Sequence, residues 1–201
     1  MENIGLKQPD PILKKRPHSY PESILLILWG WIMSLDYFRF YICKKAMVSY
    51  DVRMGLVYLS AIVVCLGVLF SFFYLSKRLG KLRAQPGRSL LITWISAMLF
   101  MGMIVVIQKN TMDHLVFELQ HALFMIVTGT AICITGHLIK DKPVLWGGLL
   151  FVVLGFLASY LKLVDQLLLE SIGWMLAFVI PGHRLYQKAA KASKTRITPK
   201  D

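Results

Sequence analysis

The chain has 201 residues, of which 56% are hydrophobic, and its 23 Lys and Arg against 11 Asp and Glu give a net charge of +12. This apolar fraction exceeds the average of soluble domains, and the polar segments between the apolar runs are too short to bury a core of their own. Composition therefore excludes a water-soluble globular fold. The three cysteines lack the spacing of a zinc site or a disulfide framework.

Residues 1–21 contain four of the eight prolines and are expected to form an irregular, basic cytoplasmic tail. Six apolar runs follow, each close to the roughly 20 residues that an α-helix needs to cross a bilayer. The predicted spans are 22–42, 54–76, 89–107, 115–139, 143–163 and 166–185. The sequence thus predicts an all-α, polytopic transmembrane helical bundle over 22–186, with about six spans.

The end of the bundle is predicted from its proline and lysine content. Pro181-Gly182 is expected to end the last span with a kink, because proline cannot continue the helical hydrogen bonds. The Lys-rich residues 188–200 are expected to be irregular, within a basic cytoplasmic C-terminal tail over 187–201.

The positive charge is divided unevenly between the two ends of the predicted bundle. With six crossings, 17 of the 23 Lys and Arg lie on the side of the chain termini, and the other six are Arg39, Lys44, Lys45, Arg53, Lys109 and Lys162. Because Lys and Arg accumulate in cytoplasmic loops, both termini are predicted to be cytoplasmic. The hinge after the second span then forms a basic cytoplasmic face, which consists of Lys77, Arg78, Lys81, Arg83 and Arg88.

This basic face indicates the kind of partner that the protein has. Juxtamembrane Lys and Arg attract anionic lipid headgroups, and the same charges can bind a protein partner. Nucleic acid is disfavoured, because no aromatic residues are interleaved with the basic ones for base stacking. Small residues recur along the last three predicted spans and predict close helix packing there, within one chain or in a homo-oligomer. They are Gly129, Gly136, Gly148, Gly155, Ser159, Gly173 and Ala177.

Ionisable side chains inside the predicted spans are the main candidates for function, since a charge at the bilayer centre costs roughly 2.5–3.5 kcal/mol on insertion scales. The predicted topology places five of them at similar depth on the outer side. This polar intramembrane cluster consists of Asp36, Arg39, Glu118, His121 and Glu170. Asp36 and Arg39 are three residues apart and can pair on one helical face. Two inner-side histidines, His137 and His183, lie toward the opposite surface.

Metal binding and catalysis receive little support from the sequence. His114, Glu118 and His121 share one helical face, and a Glu-x-x-His pair is one element of carboxylate di-iron bundles. The pair occurs once, however, and Glu170 alone cannot complete such a site, so these residues are weak metal candidates and no cofactor is expected. The chain contains no Gly-x-Ser-x-Gly, His-Glu-x-x-His or P-loop motif. No catalytic residue is assigned, and a non-enzymatic role is favoured.

Several short motifs resemble those of a family of small six-span integral membrane proteins of Bacteroidetes-type bacteria, which has no assigned activity. They are Leu28-Trp29-Gly30-Trp31, Lys142-Pro143 leading to Gly147-Gly148, Gln166-Leu167-Leu168-Leu169, and Ile180-Pro181-Gly182-His183-Arg184-Leu185. The resemblance is strongest over 117–188. It implies a six-helix plan and a location in the bacterial inner membrane. The chain departs from the family pattern at His183-Arg184, Glu118, His121 and Glu170.

The sequence therefore predicts a non-enzymatic accessory or regulatory subunit that offers its basic cytoplasmic face to lipid or to a protein partner. One form of this hypothesis, based on size and topology alone, is the membrane accessory of an RNA-targeting CRISPR effector. The alternative is a small transporter or channel that uses the polar intramembrane cluster. A membrane enzyme is the third hypothesis.

Overall fold

The computed structural model describes the backbone of residues 20–77, 87–112 and 116–197, and within them the side chains of 23–77, 88–112 and 116–191. The described chain is all-helical, as predicted. Its helices are α1 (Tyr20–Lys45), α2 (Tyr50–Ser76), α3 (Gly87–Met112), α4 (Phe117–Leu138), α5 (Lys142–Ala158), α6 (Leu163–Trp174) and α7 (Ile180–Ile197). A π-helical segment, Met175–Val179, joins α6 to α7 without a break.

Five helical stretches of the described residues are long and apolar enough to cross a membrane. Four of them are α1 to α4, and the fifth is the continuous stretch Leu163–Lys191. The 17 residues of α5 are apolar but span only about 26 Å at 1.5 Å per residue, slightly less than a hydrocarbon core of about 30 Å. The predicted all-helical fold, with several helices long and apolar enough to cross a membrane, is confirmed for the described residues. The cytoplasmic placement of the termini stays a prediction.

The fifth predicted span ends earlier than expected. α5 stops at Ala158, five residues before the predicted end, and a turn follows. Gln166 accounts for this end, because its Nε2 donates hydrogen bonds to the carbonyl oxygens of Ala158 at 2.8 Å and Leu161 at 3.0 Å. A buried side-chain amide thus bonds to two carbonyls of the turn in which α5 ends, and the carbonyl of Ala158 also accepts the N–H of Leu161 at 2.9 Å.

The prediction that Pro181-Gly182 ends the last span is wrong, because α7 continues through both residues to Ile197. Pro181 has no N–H to donate, and the backbone widens in the turn just before it, where Ile180 N–H bonds to the carbonyl of Met175. The helix also covers most of the tail that was expected to be irregular. That tail is rich in Ala and Lys, which are good helix formers.

Most of the helices form one packed unit, and two helices lie at its periphery. α1, α4, α5 and the continuous stretch from α6 to α7 pack together around buried aromatic side chains, chiefly Phe151, Trp174 and Phe178. α2 packs mainly against α1, and α3 packs mainly against α4. The first span is therefore an integral member of the core rather than a peripheral segment.

The predicted close packing of small residues occurs within one chain. A Cβ atom added at Gly148 would lie 2.8 Å from the carbonyl oxygen of Gly129, so α4 and α5 touch backbone to backbone. Gly155 faces Met125 in the same interface, and Gly173 of α6 faces the ring of Phe151. This packing holds the starts of α4 and α6, which carry the candidate site, in fixed positions.

Candidate functional site

An ionisable pair joins α4 to α6 inside the packed unit. Nδ1 of His121 lies 2.8 Å from Oε2 of Glu170. The Glu170 side chain is 2% exposed and that of His121 is 19% exposed. His121 lies one turn into α4 and Glu170 two turns into α6, and both helices begin at the same end of the bundle. The pair therefore forms where the two helix starts meet.

Tyr37 of α1 completes this group, which we call the His121–Glu170 site. Its ring meets the His121 ring edge-on, with the centroids 5.6 Å apart, and its hydroxyl is positioned to donate a hydrogen bond to the Glu170 carboxyl. The indole N–H of Trp174 points toward the same carboxyl but does not reach hydrogen-bond geometry. Three helices thus surround one buried carboxyl, and its charge is balanced whenever His121 is protonated.

A second polar group lies between α1 and α2. Arg39 and Asp36 form the predicted pair, with Nη2 at 2.7 Å and Nε at 3.1 Å from Oδ1 of Asp36. Ser60 of α2 donates its hydroxyl to the same oxygen. The side chains of Asp36 and Arg39 are 18% and 16% exposed, and they line a cleft of about 640 Å³ that α1 and α2 form with the first turns of α7.

These two groups lie on different sides of α1. Asp36 and Arg39 line the cleft toward α2, whereas Tyr37 faces the His121–Glu170 site. The structure therefore divides the polar intramembrane cluster into two separate groups. Glu118 belongs to neither group, because its side chain is exposed on α4.

Sequence reasoning missed Tyr37, Ser60 and Trp174. A signal for Trp174 was present, since it follows Glu170 by four residues and so shares its helical face. Tyr37 and Ser60 carried no such signal. Each contacts residues of a different helix, which sequence spacing cannot reveal. Tyr37 also follows Asp36 directly, and the two side chains face different neighbours.

The weak metal candidates are not brought together. Among the described residues, no three His, Cys, Asp or Glu side chains are close enough to hold one metal ion. Glu118 is exposed while His121 faces Glu170, and His114 lies outside the described residues. The candidate site is a hydrogen-bonded acid–base pair rather than a ligand set.

At the opposite end of the bundle the structure describes part of the basic face. Lys77 at the end of α2 and Arg88 at the start of α3 are exposed, and Arg78, Lys81 and Arg83 lie outside the described residues. The two histidines predicted for the inner side, His137 and His183, are both exposed, and His183 lines the cleft.

Over the residues that the structure describes, these features define an all-helical protein of integral membrane character with one largely buried and one partly exposed polar group. Comparison with known proteins found no matching protein family, no similar curated protein and no similar solved structure.

Proposed function

We propose that this protein is a non-enzymatic, multi-pass accessory or regulatory subunit of the bacterial inner membrane, with both termini and its basic face in the cytoplasm. The placement of α2 and α3 carries this proposal. In an apolar 18-residue segment of each helix, the buried share is only 6% for α2 and 11% for α3, compared with 50% for the stretch Leu163–Lys191. Two spans thus contribute little to the protein's own core and leave long apolar faces free for a membrane partner.

The basic face lies between these same two helices. Lys77 ends α2 and Arg88 lies in the first turn of α3, so the hinge that holds Arg78, Lys81 and Arg83 is attached to both. Five positive charges within twelve residues favour an acidic protein surface or anionic headgroups, at about 1 kcal/mol each near a membrane. A CRISPR-type effector is one class of partner that this proposal allows.

Neutralising the basic face is expected to lower the amount of co-purified partner at least tenfold. Quantitative affinity purification from source cells in mild detergent measures this amount. The variant replaces Lys77, Arg78, Lys81, Arg83 and Arg88 with Gln. We expect this loss because the variant no longer carries the positive charges that attract an acidic partner surface. The apolar spans are unchanged, so the fold should remain.

A matched control neutralises five exposed cations at the opposite end of the bundle, Lys44, Lys45, Arg53, Lys109 and Lys162. It should keep the partner at wild-type stoichiometry, and reporter fusions at both chain ends establish the orientation. Wild-type protein without a stoichiometric partner, or equal loss in both variants, would refute the accessory role.

The alternative function is a small proton-coupled transporter or channel, and the His121–Glu170 site favours it. Histidine changes charge near neutral pH, and here it lies 2.8 Å from a buried carboxyl in a membrane-spanning helix. A path that used both polar groups would have to pass α1 near Tyr37, since the groups lie on different sides of that helix.

For this alternative, Glu170→Gln is expected to abolish a pH-dependent flux in proteoliposomes, because the amide cannot exchange a proton with His121. Glu118→Gln changes an exposed carboxyl on the same helix as His121 and should leave the flux within about twofold. The absence of flux in the wild-type protein would eliminate the transport hypothesis.

A further inference from the structure

A second group of basic side chains surrounds the turn between α4 and α5. Lys140 lies in this turn and Lys142 begins α5, and both side chains are exposed. Lys188 of α7 reaches the same turn, where its Nζ lies 2.6 Å from Oδ2 of Asp141. Arg184 precedes Lys188 by one helical turn and is also exposed. We call these four cations, Lys140, Lys142, Arg184 and Lys188, the α5–α7 basic surface.

Two contacts show how α5 and α7 lie beside each other. A Cβ atom added at Gly147 would lie 3.3 Å from Cγ of Pro181, and Asp141 pairs with Lys188. The contact moves toward the start of α5 as it moves along α7, so the two helices are antiparallel neighbours. Arg184 lies between Pro181 and Lys188 and is therefore level with the first turn of α5. The four cations thus gather at one end of two adjacent helices.

The carboxyl of Asp141 does not neutralise this surface. Its side chain is 7% exposed, because Oδ1 accepts the backbone N–H of Val144 and Oδ2 pairs with Lys188. Neither α5 nor α7 contains an acidic residue. One carboxylate against four cations leaves a net charge of three, and the exposed histidines at this end, His137 and His183, can only add to it.

The α5–α7 basic surface lies at the height of lipid headgroups. Trp146 is 63% exposed one turn after Lys142, and α5 is apolar from there to its end. Exposed tryptophan side chains collect where headgroups meet hydrocarbon. Four residues of helix rise about 6 Å, and the polar layer of a leaflet is about 5–7 Å thick. Lys142 and Arg184 therefore lie within the layer that contains the lipid phosphates.

We propose that the α5–α7 basic surface binds the headgroup of one anionic phospholipid of the adjacent leaflet. Lys142 and Arg184 contact its phosphate, because they lie at that height, and Lys140 adds charge farther from the hydrocarbon. Lys188 stays paired with Asp141 and holds α7 against the turn, so it positions the site. A free phosphate ion fits less well, because exposed side chains enclose no cavity for it and it lacks acyl chains that would hold it at the membrane. The site lies on the packed unit and does not depend on the accessory role.

Native mass spectrometry of the purified protein tests this proposal with an equimolar mixture of phosphatidylglycerol and phosphatidylethanolamine that have the same acyl chains. The first lipid is anionic and the second is zwitterionic. The wild-type protein is expected to retain one phosphatidylglycerol with about tenfold preference, because three uncompensated cations attract the net negative charge. Millimolar inorganic phosphate should not displace the lipid. This comparison needs no variant, so it does not depend on the folding of a mutant.

Two triple variants then locate the site, and each removes three positive charges from the same end of the bundle. The site variant, which should lose the preference, is Lys140→Gln, Lys142→Gln and Arg184→Gln. The control variant, which should keep it, is Lys77→Gln, Arg78→Gln and Arg88→Gln in the basic face. Equal retention of the two lipids by the wild type, equal loss in the two variants, displacement by phosphate, or an acidic protein in place of the lipid would overturn the proposal.

Discussion

Replacing His121 with Leu is expected to lower the free energy of unfolding by about 3 kcal/mol, because it leaves the buried carboxyl of Glu170 without its partner. The Glu170 side chain is 2% exposed and lies 2.8 Å from the imidazole, so water cannot replace the lost interaction. Reversible unfolding in mixed micelles, followed by tryptophan fluorescence, measures the change, since Trp174 borders the site.

The double variant His121→Leu with Glu170→Leu is expected to recover most of that loss. Removing both partners leaves no charge to bury, and apolar side chains of similar size often replace a buried ion pair without net cost. About 1 kcal/mol should remain, because the Tyr37 hydroxyl loses its acceptor. Glu118→Leu serves as the exposed control on α4 and should change stability by less than about 0.5 kcal/mol. Additive losses in the double variant would show that the pair is not coupled.

Gly148→Ala is expected to lower the free energy of unfolding by about 2–3 kcal/mol, because one added methyl group would enter the contact between α4 and α5. Its Cβ would lie 2.5 Å from the backbone nitrogen of Cys133 and 2.8 Å from the carbonyl oxygen of Gly129. Backbone atoms cannot turn aside as a flexible side chain can, so the two helices must separate, and overpacking of this kind typically costs 1–3 kcal/mol.

Gly102→Ala is the matched control for this substitution. Gly102 also lies within a helix that is long enough to span the membrane, but among the described residues no atom outside the neighbouring backbone of its own helix lies within 4 Å of an added Cβ. Alanine is a better helix former than glycine by about 1 kcal/mol, so stability should stay constant or rise slightly. The same unfolding measurement compares the two variants, and an equal loss at both positions would show that helix contact is not the cause.

Part of the candidate site could be predicted from the sequence, and the rest could not. The pairing of Asp36 with Arg39 follows from a spacing of three residues on one helix, which is a local property. The pairing of His121 with Glu170 joins residues 49 positions apart and depends on how α4 and α6 are rotated about their axes. The rotation of α1 was likewise not predictable, so Asp36 and Tyr37 were not expected to serve two different groups.

The sequence by itself determined that this protein is helical, with helices long and apolar enough to cross a membrane, and nine of the twelve predicted span bounds lie within four residues of the observed helix ends. It could do so because each span must satisfy its own backbone hydrogen bonds in lipid, which makes a run of about 20 apolar residues a sufficient signal. Only the tertiary structure decided which polar side chains meet. Neighbouring residues of a helix point about 100° apart, so the packing of α1 against α2 and α6 separates Asp36 from Tyr37.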